Sequence, residues 1–308
     1  MSPATKSESE MKVLGIYHSV DNDGICSGAI IKKWCEEKGH ELILHGTNDR
    51  VNAPWDLIAN SDLVIISDFS YAMKEMFAIN NVSELVWCDH HKSAIDEYNE
   101  LLKDPAFAKP IMGLRDVKQA GCELTWKWAF PKEEAPYAVT TLGCYDCWRW
   151  KEEDESSQKA ILSFEFGMRA DAPEVGDPKW EWLLDEDGDP ELERIYLLKG
   201  RGILDYQENM MERINSTGSV IEWEGVVWWA VNCHQTDSSN YEKQVAMLKE
   251  TVNIHAVLIF YRRLGGWKYS LRAVDRDTDV SLIAKKYKGG GHAGAASFLA
   301  DNLLDVLQ

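Results

Sequence analysis

No stretch of this 308-residue sequence approaches the ~20 consecutive apolar residues that a membrane-spanning helix needs. Residues 1–10 are polar and lack the apolar core of a secretory signal, so they read as a disordered tail and the chain as cytoplasmic. Positive charge is scarce: 33 Lys and Arg face 51 Asp and Glu, a formal charge of −18. Such a surface repels long polyanions and argues against broad binding to duplexes. It leaves room for a short phosphate ligand in a locally positive or metal-filled cleft. A second Cys-x-x-Cys pair is missing, so Cys144 and Cys147 lack the partners of a zinc site. The seven cysteines (Cys26, Cys35, Cys88, Cys122, Cys144, Cys147 and Cys233) are odd in number and lie in apolar segments. They read as buried, reduced thiols. No internal repeat is found.

Apolar residues make up 45% and charged residues 27%, the composition of a globular protein with one large or two ordinary domains. The first half alternates two periods. Val13-Leu14-Gly15-Ile16-Tyr17 reads as a strand, and residues 27–38 place Ile30, Ile31, Trp34 and Cys35 on one helical side. Residues 41–45, Leu63-Val64-Ile65-Ile66 and Leu85-Val86-Trp87-Cys88 are further strands. Continuous apolar runs fit strands buried on both faces, hence a parallel, doubly wound α/β domain. Glu152-Glu153-Asp154-Glu155 reads as a solvated face. The carboxylates at 185, 187 and 189 are spaced like half a calcium loop, but glycine falls at 188 and Tyr196 stands where the loop needs Glu. That segment reads as an acidic turn. Residues 191–214 read as a long helix interrupted near Gly200 and Gly202. Strands then follow at 220–223, 226–232, 256–261 and 267–273, with a hairpin turn at Gly265-Gly266 and a helix from Thr278 or Asp279 through Tyr287.

Four short segments carry the chemistry, each placed just past a strand. They are His18-Ser19-Val20-Asp21-Asn22-Asp23-Gly24, Ser67-Asp68, Asp89-His90-His91 and Tyr145-Asp146. Ligands of open α/β sheets bind at the carboxyl ends of the strands. The segments supply five carboxylates and three imidazoles. So many acids would repel one another without counter-charge, and divalent ions resolve that conflict. A mixed oxygen and imidazole set suits Mn²⁺, with Mg²⁺, Fe²⁺, Co²⁺ or Zn²⁺ as alternatives. The number of donors matches two ions about 4 Å apart that share one carboxylate.

These segments resemble the four motifs of the DHH phosphoesterase superfamily, named for its Asp-His-His triplet. Leu271-Arg272 followed by Gly289-Gly290-Gly291-His292 resembles the DHHA1 domain. The resemblance covers residues 12–150 and 218–300. The first motif, Tyr17-His18-Ser19-Val20-Asp21-x-Asp23-Gly24, is similar to the nanoRNase B, oligoribonuclease-like branch. It has one residue fewer between His and the first Asp than the nanoRNase A pattern. Residues 151–190 have no counterpart.

The resemblance implies a doubly wound parallel-sheet DHH domain over 12–190, with an acidic insertion at 151–190. A helical linker at 191–217 and a smaller α/β DHHA1 domain at 218–308 follow. It implies one ion held by His18, Asp21 and Asp68 and a second by Asp23, Asp68, His90 and Asp146. Asp89 orients a neighbouring histidine, and His91 faces the scissile phosphate, so Asp68, Asp89 and His91 are the catalytic candidates. Arg272 is the candidate phosphate clamp, because its fork fits two oxygens. Gly289, Gly290, Gly291 and His292 contact the ligand, with Arg276 and Lys288 as weaker candidates. Trp148 and Trp150, near Asp146, either stack a base or belong to the core. The implied activity is release of nucleoside monophosphates from short single-stranded RNA or DNA. The alternatives are hydrolysis of a cyclic nucleotide or cyclic dinucleotide or of 3′-phosphoadenosine phosphate, or a silent nucleotide-binding regulator. Homo-oligomerisation is left open.

Overall fold

The computed structural model describes residues 10–48, 52–107, 109–185, 188, 190–234, 253–275 and 277–307. The chain divides into two compact units, one ending at Leu204 and the other beginning at Asp205.

The first unit opens with β1 (Lys12–His18), α1 (Asn22–Lys38), β2 (Glu41–Thr47), a short α2 (Trp55–Ile58) and β3 (Leu63–Ser67). It continues with α3 (Met73–Val82), β4 (Glu84–Cys88) and α4 (Lys92–Leu101). The strands are parallel in the order β2-β1-β3-β4. Successive side chains point to opposite faces, and both faces are covered. Leu14, Ile16, Val64 and Ile66 pack with Phe77 and Tyr98. Val13, Ile65, Val86 and Cys88 pack with Ile31 and Leu124. From β1 the chain moves outward to β2 and then returns to β3 on the other side. The topological switch point therefore lies between the carboxyl ends of β1 and β3, where such sheets bind ligands.

Helix α1 starts five residues before the expected Ser27. The Asp21 side chain accepts from the Gly24 N–H and caps it. The apolar spacing marked only the buried middle of the helix, because a cap shows no periodicity.

The first unit is completed by α5 (Gly121–Ala129), α6 (Tyr137–Asp146), α7 (Glu155–Asp171), α8 (Lys179–Leu183) and α9 (Pro190–Asn215), the last running on past Leu204. Glu152 to Glu155 are exposed, and Asp154 caps α7 through Ser156 and Ser157. The acidic stretch is nonetheless no appendage. Phe164, Met168, Val175, Trp180 and Leu183 share one apolar cluster with Ile30, Trp126 and Leu142. Of the acidic turn, Glu186, Asp187 and Asp189 lie outside the described residues. Helix α9 is continuous through Gly200 and Gly202, contrary to the expected break. A Cβ on Gly200 would stand 1.7 Å from the Ser163 carbonyl oxygen, so this glycine serves close packing of α9 on α7.

The second unit is a mixed sheet of β5 (Ser219–Trp223), β6 (Val226–Asn232), β7 (Ala256–Arg263), β8 (Gly266–Ala273), β9 (Gly290–His292) and β10 (Ala295–Ala300). Its order is β5-β6-β7-β8-β10-β9, and among the described residues only β6 and β7 pair in parallel. Helix α10 (Val280–Lys286) packs on it through Val280, Ile283 and Ala284. The hairpin turn is one residue earlier than expected: Arg263 pairs with Gly266, leaving Leu264 and Gly265 as the loop. Among the described residues, no helix is long and apolar enough to cross a membrane.

Candidate metal centre

Three of the four segments lie at carboxyl ends of strands. His18 ends β1, Asp68 follows β3, and Asp89-His90-His91 follow β4. Asp146 differs from expectation, because it ends the helix α6 rather than following a strand. Asp68 has φ of +53°, a left-handed conformation that Asp tolerates better than most residues. Helix α5 begins directly against it: a Cβ on Gly121 would stand 2.4 Å from the Asp68 Cβ.

The side chains converge on Asp68. Its Oδ2 lies 3.6 Å from His18 Nδ1, which is itself 3.0 Å from Asp21 Oδ2. Its Oδ1 lies 3.1 Å from His90 Nε2, and that same nitrogen is 3.4 Å from Asp146 Oδ2 and 3.8 Å from Asp23 Oδ2. Asp68 thus stands between a His18–Asp21 group and a His90–Asp146–Asp23 group.

Asp89 is fully buried, and N–H donors occupy both its oxygens. Oδ1 accepts from the His90 and His91 amides at 2.8 and 3.2 Å and from His91 Nδ1 at 2.7 Å, while Oδ2 accepts from Trp87 Nε1 at 3.1 Å. This arrangement fixes the His91 ring.

Charge in the cluster is unbalanced without cations. Burial pushes the Asp23 carboxyl well above its ordinary value, and the charges of Asp68 and Asp146 add to the effect. Burial takes Asp146 up to about 6. His18 rises to about 10 through its bonds with Asp21 and Asp68. Burial works against a charged His90, yet Asp68, Cys147 and Asp23 outweigh it and raise it to about 11. Asp68 alone is lowered, because His18 and His90 outweigh its burial. Protons on imidazole therefore supply the positive charge the acids demand. A divalent ion held by the same atoms displaces those protons. The donors, oxygen and imidazole with one nearby thiol, fit such an ion.

Several contributors escaped the motif reading. The Gly121 and Cys122 N–H groups, at the start of α5, donate to the two oxygens of Asp23 at 2.8 and 2.7 Å. A helix N-terminus favours an anion at this place. Cys147 Sγ lies 3.8 Å from His90 Nδ1, on the ring edge away from the acids. Buried Glu165, on α7, accepts from Asn22 Nδ2 at 3.0 Å and from Arg169 Nη2 at 2.7 Å. Arg169 reaches the Tyr145 hydroxyl at 3.4 Å and covers its ring at 5.6 Å. Asn22 sits between Asp21 and Asp23 in sequence, and Tyr145 precedes Asp146. The segment at 151–190 thus braces the first and fourth segments. The only sequence signal was one acid and one arginine four residues apart in an otherwise amphipathic helix.

In the second unit, Arg272 Nη1 donates to the Leu271 carbonyl at 3.0 Å, and its buried Nε has no hydrogen-bond partner among the described residues. Burial lowers its pKa. Lys268 projects from the same face of β8 and bonds Ser297 Oγ at 2.7 Å. Gly289, Gly290, Gly291 and His292 run into the edge strand β9. Gly289 and Gly291 leave no room for a Cβ beside β10, whereas Gly290 faces open space. Lys288 is exposed, and Arg276 lies outside the described residues. Trp148 is 58% exposed, which removes the core reading for it, and Trp150 is half-buried.

No protein-family model matches the chain. An uncharacterised protein of Acanthamoeba polyphaga mimivirus is 26% identical over 248 residues, covering 78% of this chain and 53% of that protein. The chain therefore spans about half the length of the curated relative it matches. Among solved structures, the DHH domain of a member of the s1p family of ribosomal proteins covers 93% of this chain, and the chain covers 82% of it, with 16% identity and a TM-score of 0.52. This chain has the DHH-domain fold. RecJ from Thermus thermophilus, in complex with Mn²⁺, is similar over 94% of this chain and 50% of its own, at 15% identity and a TM-score of 0.47. In this DHH-like fold the Asp89-His90-His91 triplet occupies the end of β4, beside the switch point.

Proposed function

We propose that the chain is a metal-dependent phosphodiesterase that hydrolyses short single-stranded oligonucleotides to nucleoside monophosphates. The observation that carries this reading is the position of Asp68, with one oxygen toward His18 and the other toward His90. His18, Asp21 and Asp68 would hold one divalent ion, and Asp23, Asp68, His90 and Asp146 would hold the other, with Mn²⁺ the best match to the donors. When bound, such ions neutralise phosphate oxygens and make hydroxide available near neutral pH.

The residues of the chain do the rest. The start of α5 fixes Asp23, so this acid keeps one orientation whether or not an ion is present. Asp89 holds Nδ1–H of His91, which leaves Nε2 of that ring for the substrate. In the second unit, Arg272 offers a guanidinium with no carboxylate ion pair among the described residues, suited to a phosphate. Gly290 and His292, also in the second unit, are exposed and are the candidate nucleotide contacts there. The net charge of −18 fits short substrates rather than long duplexes, and a cytoplasmic setting fits the reduced cysteines.

The test is an assay of the full chain with Mn²⁺ against RNAs of two to five nucleotides, cyclic dinucleotides and 3′-phosphoadenosine phosphate. Turnover of the linear RNAs to monophosphates supports the reading. Turnover of only another substrate reassigns it, and tight binding without turnover makes the chain a regulator.

A further inference from the structure

We propose that Trp148 is a stacking platform for the nucleobase next to the cleaved phosphate, with Lys151 as its companion cation. This inference rests on the phosphodiesterase reading and adds a base subsite to it.

The backbone is the first ground. Cys147 caps α6, and the Trp148 amide closes the last turn on the Tyr145 carbonyl at 3.0 Å. Trp148 itself has φ of +60° and ψ of 12°. The residue just past a helix end commonly adopts this left-handed conformation, and glycine or asparagine is the usual occupant. A bulky side chain there is an outlier that costs stability. A tryptophan can offset such a cost by burying its ring, but this indole is 58% exposed.

Position is the second ground. Trp148 is two residues past Asp146 and next to Cys147, whose sulfur is 3.8 Å from the His90 ring. Strain of the same kind recurs at Asp68, at the centre of the cluster. An exposed ring two residues past Asp146 has the form of a stacking surface, since every base presents a π-face.

Charge is the third ground. Lys151 Nζ lies 4.3 Å from the Trp148 ring centroid. A cation against the indole both holds its orientation and places positive charge beside the ring, where the phosphate of a stacked nucleotide would follow. In a chain of net charge −18, such a pair next to an acidic cluster favours a ligand that is aromatic and anionic at once.

The experiment compares AMP with ribose 5-phosphate, which carries the phosphate without a base. Binding of each to the Mn²⁺-loaded full chain is followed by calorimetry, with melting temperatures recorded for every variant. The wild type should bind AMP about tenfold more tightly than ribose 5-phosphate. Trp148→Gly should erase that preference, keep the affinity for ribose 5-phosphate, and melt at or above the wild-type temperature because glycine suits the left-handed position. Trp148→Phe should keep most of the preference. A preference that survives Trp148→Gly, or a clear fall in melting temperature for that variant, overturns the proposal. A wild type that cleaves dinucleotides but binds AMP and ribose 5-phosphate alike overturns the platform alone. A wild type that binds neither and cleaves no diester overturns the phosphodiesterase reading as well.

Discussion

The first unit crowds Asp21, Asp23, Asp68 and Asp146 around two imidazoles, whereas β8 of the second unit carries Lys268 and Arg272 on one face with no carboxylate ion pair to either among the described residues. The shifts run in opposite senses. Burial drives Asp23 and Asp146 upward, and it drives Lys268 and Arg272 downward, with Arg263 and Arg272 adding to the effect at Lys268. The acidic group has imidazoles as the partners of its carboxylates, and the cationic face has no carboxylate ion pair among the described residues. Asp171, by contrast, is paired locally with Lys179 and Lys199. Under the proposed function, a divalent ion would complete the first group and a phosphate the second.

The sharpest way to break this contrast is at Asp68. Asp68→Asn keeps the shape but removes the charge that both imidazole groups share. Turnover should fall on the order of 10³-fold or more, with the circular dichroism spectrum unchanged. Wild-type rates would refute the bridging role.

The bracing of the acidic side comes next. Glu165→Gln removes the charge that holds Arg169 while keeping an acceptor for Asn22. Mn²⁺ affinity, read by calorimetry, should weaken on the order of 10- to 100-fold. Unchanged affinity would reduce Glu165 to a packing role.

On the cationic side, Arg272→Ala should raise KM about tenfold and leave Mn²⁺ affinity intact, as expected for one lost charge-assisted contact. Equal loss of metal and substrate binding would erase the distinction between the two surfaces.

The smallest effect is on stability. His18, His90 and Asp146 all have raised pKa values in the folded, metal-free chain. Raised values mean that protonation favours the fold, so for the imidazoles this contribution is complete below about 6.5 and is lost as pH rises toward 10 or 11. The melting temperature of the metal-free chain should fall by a few degrees across that window. Mn²⁺ affinity should rise over it, since the ion displaces those protons. A melting temperature that climbs instead would show that the histidines are neutral without metal.

The parallel sheet was legible because strands buried on both faces have no polar alternation, as in Leu63-Val64-Ile65-Ile66. The residues that converge on Asp68 were legible as candidates because their segments stand at the ends of such runs or of a helix. Less accessible were interactions made by backbone. Nothing in the letters Gly121-Cys122 says that their amides reach Asp23, 98 and 99 residues away. Composition also misled at 151–190, where exposed acids hid Phe164, Met168 and Trp180 on the buried side. The expected break at Gly200 failed for a similar reason, because packing against Ser163 overrides propensity.

The most direct measurement is the electron paramagnetic resonance spectrum of the chain titrated with Mn²⁺. Two ions per chain, with the spin coupling of a pair sharing a carboxylate, and loss of that coupling in Asp68→Asn are the predicted results. A single isolated Mn²⁺ signal at saturation, or no bound Mn²⁺, would contradict the account.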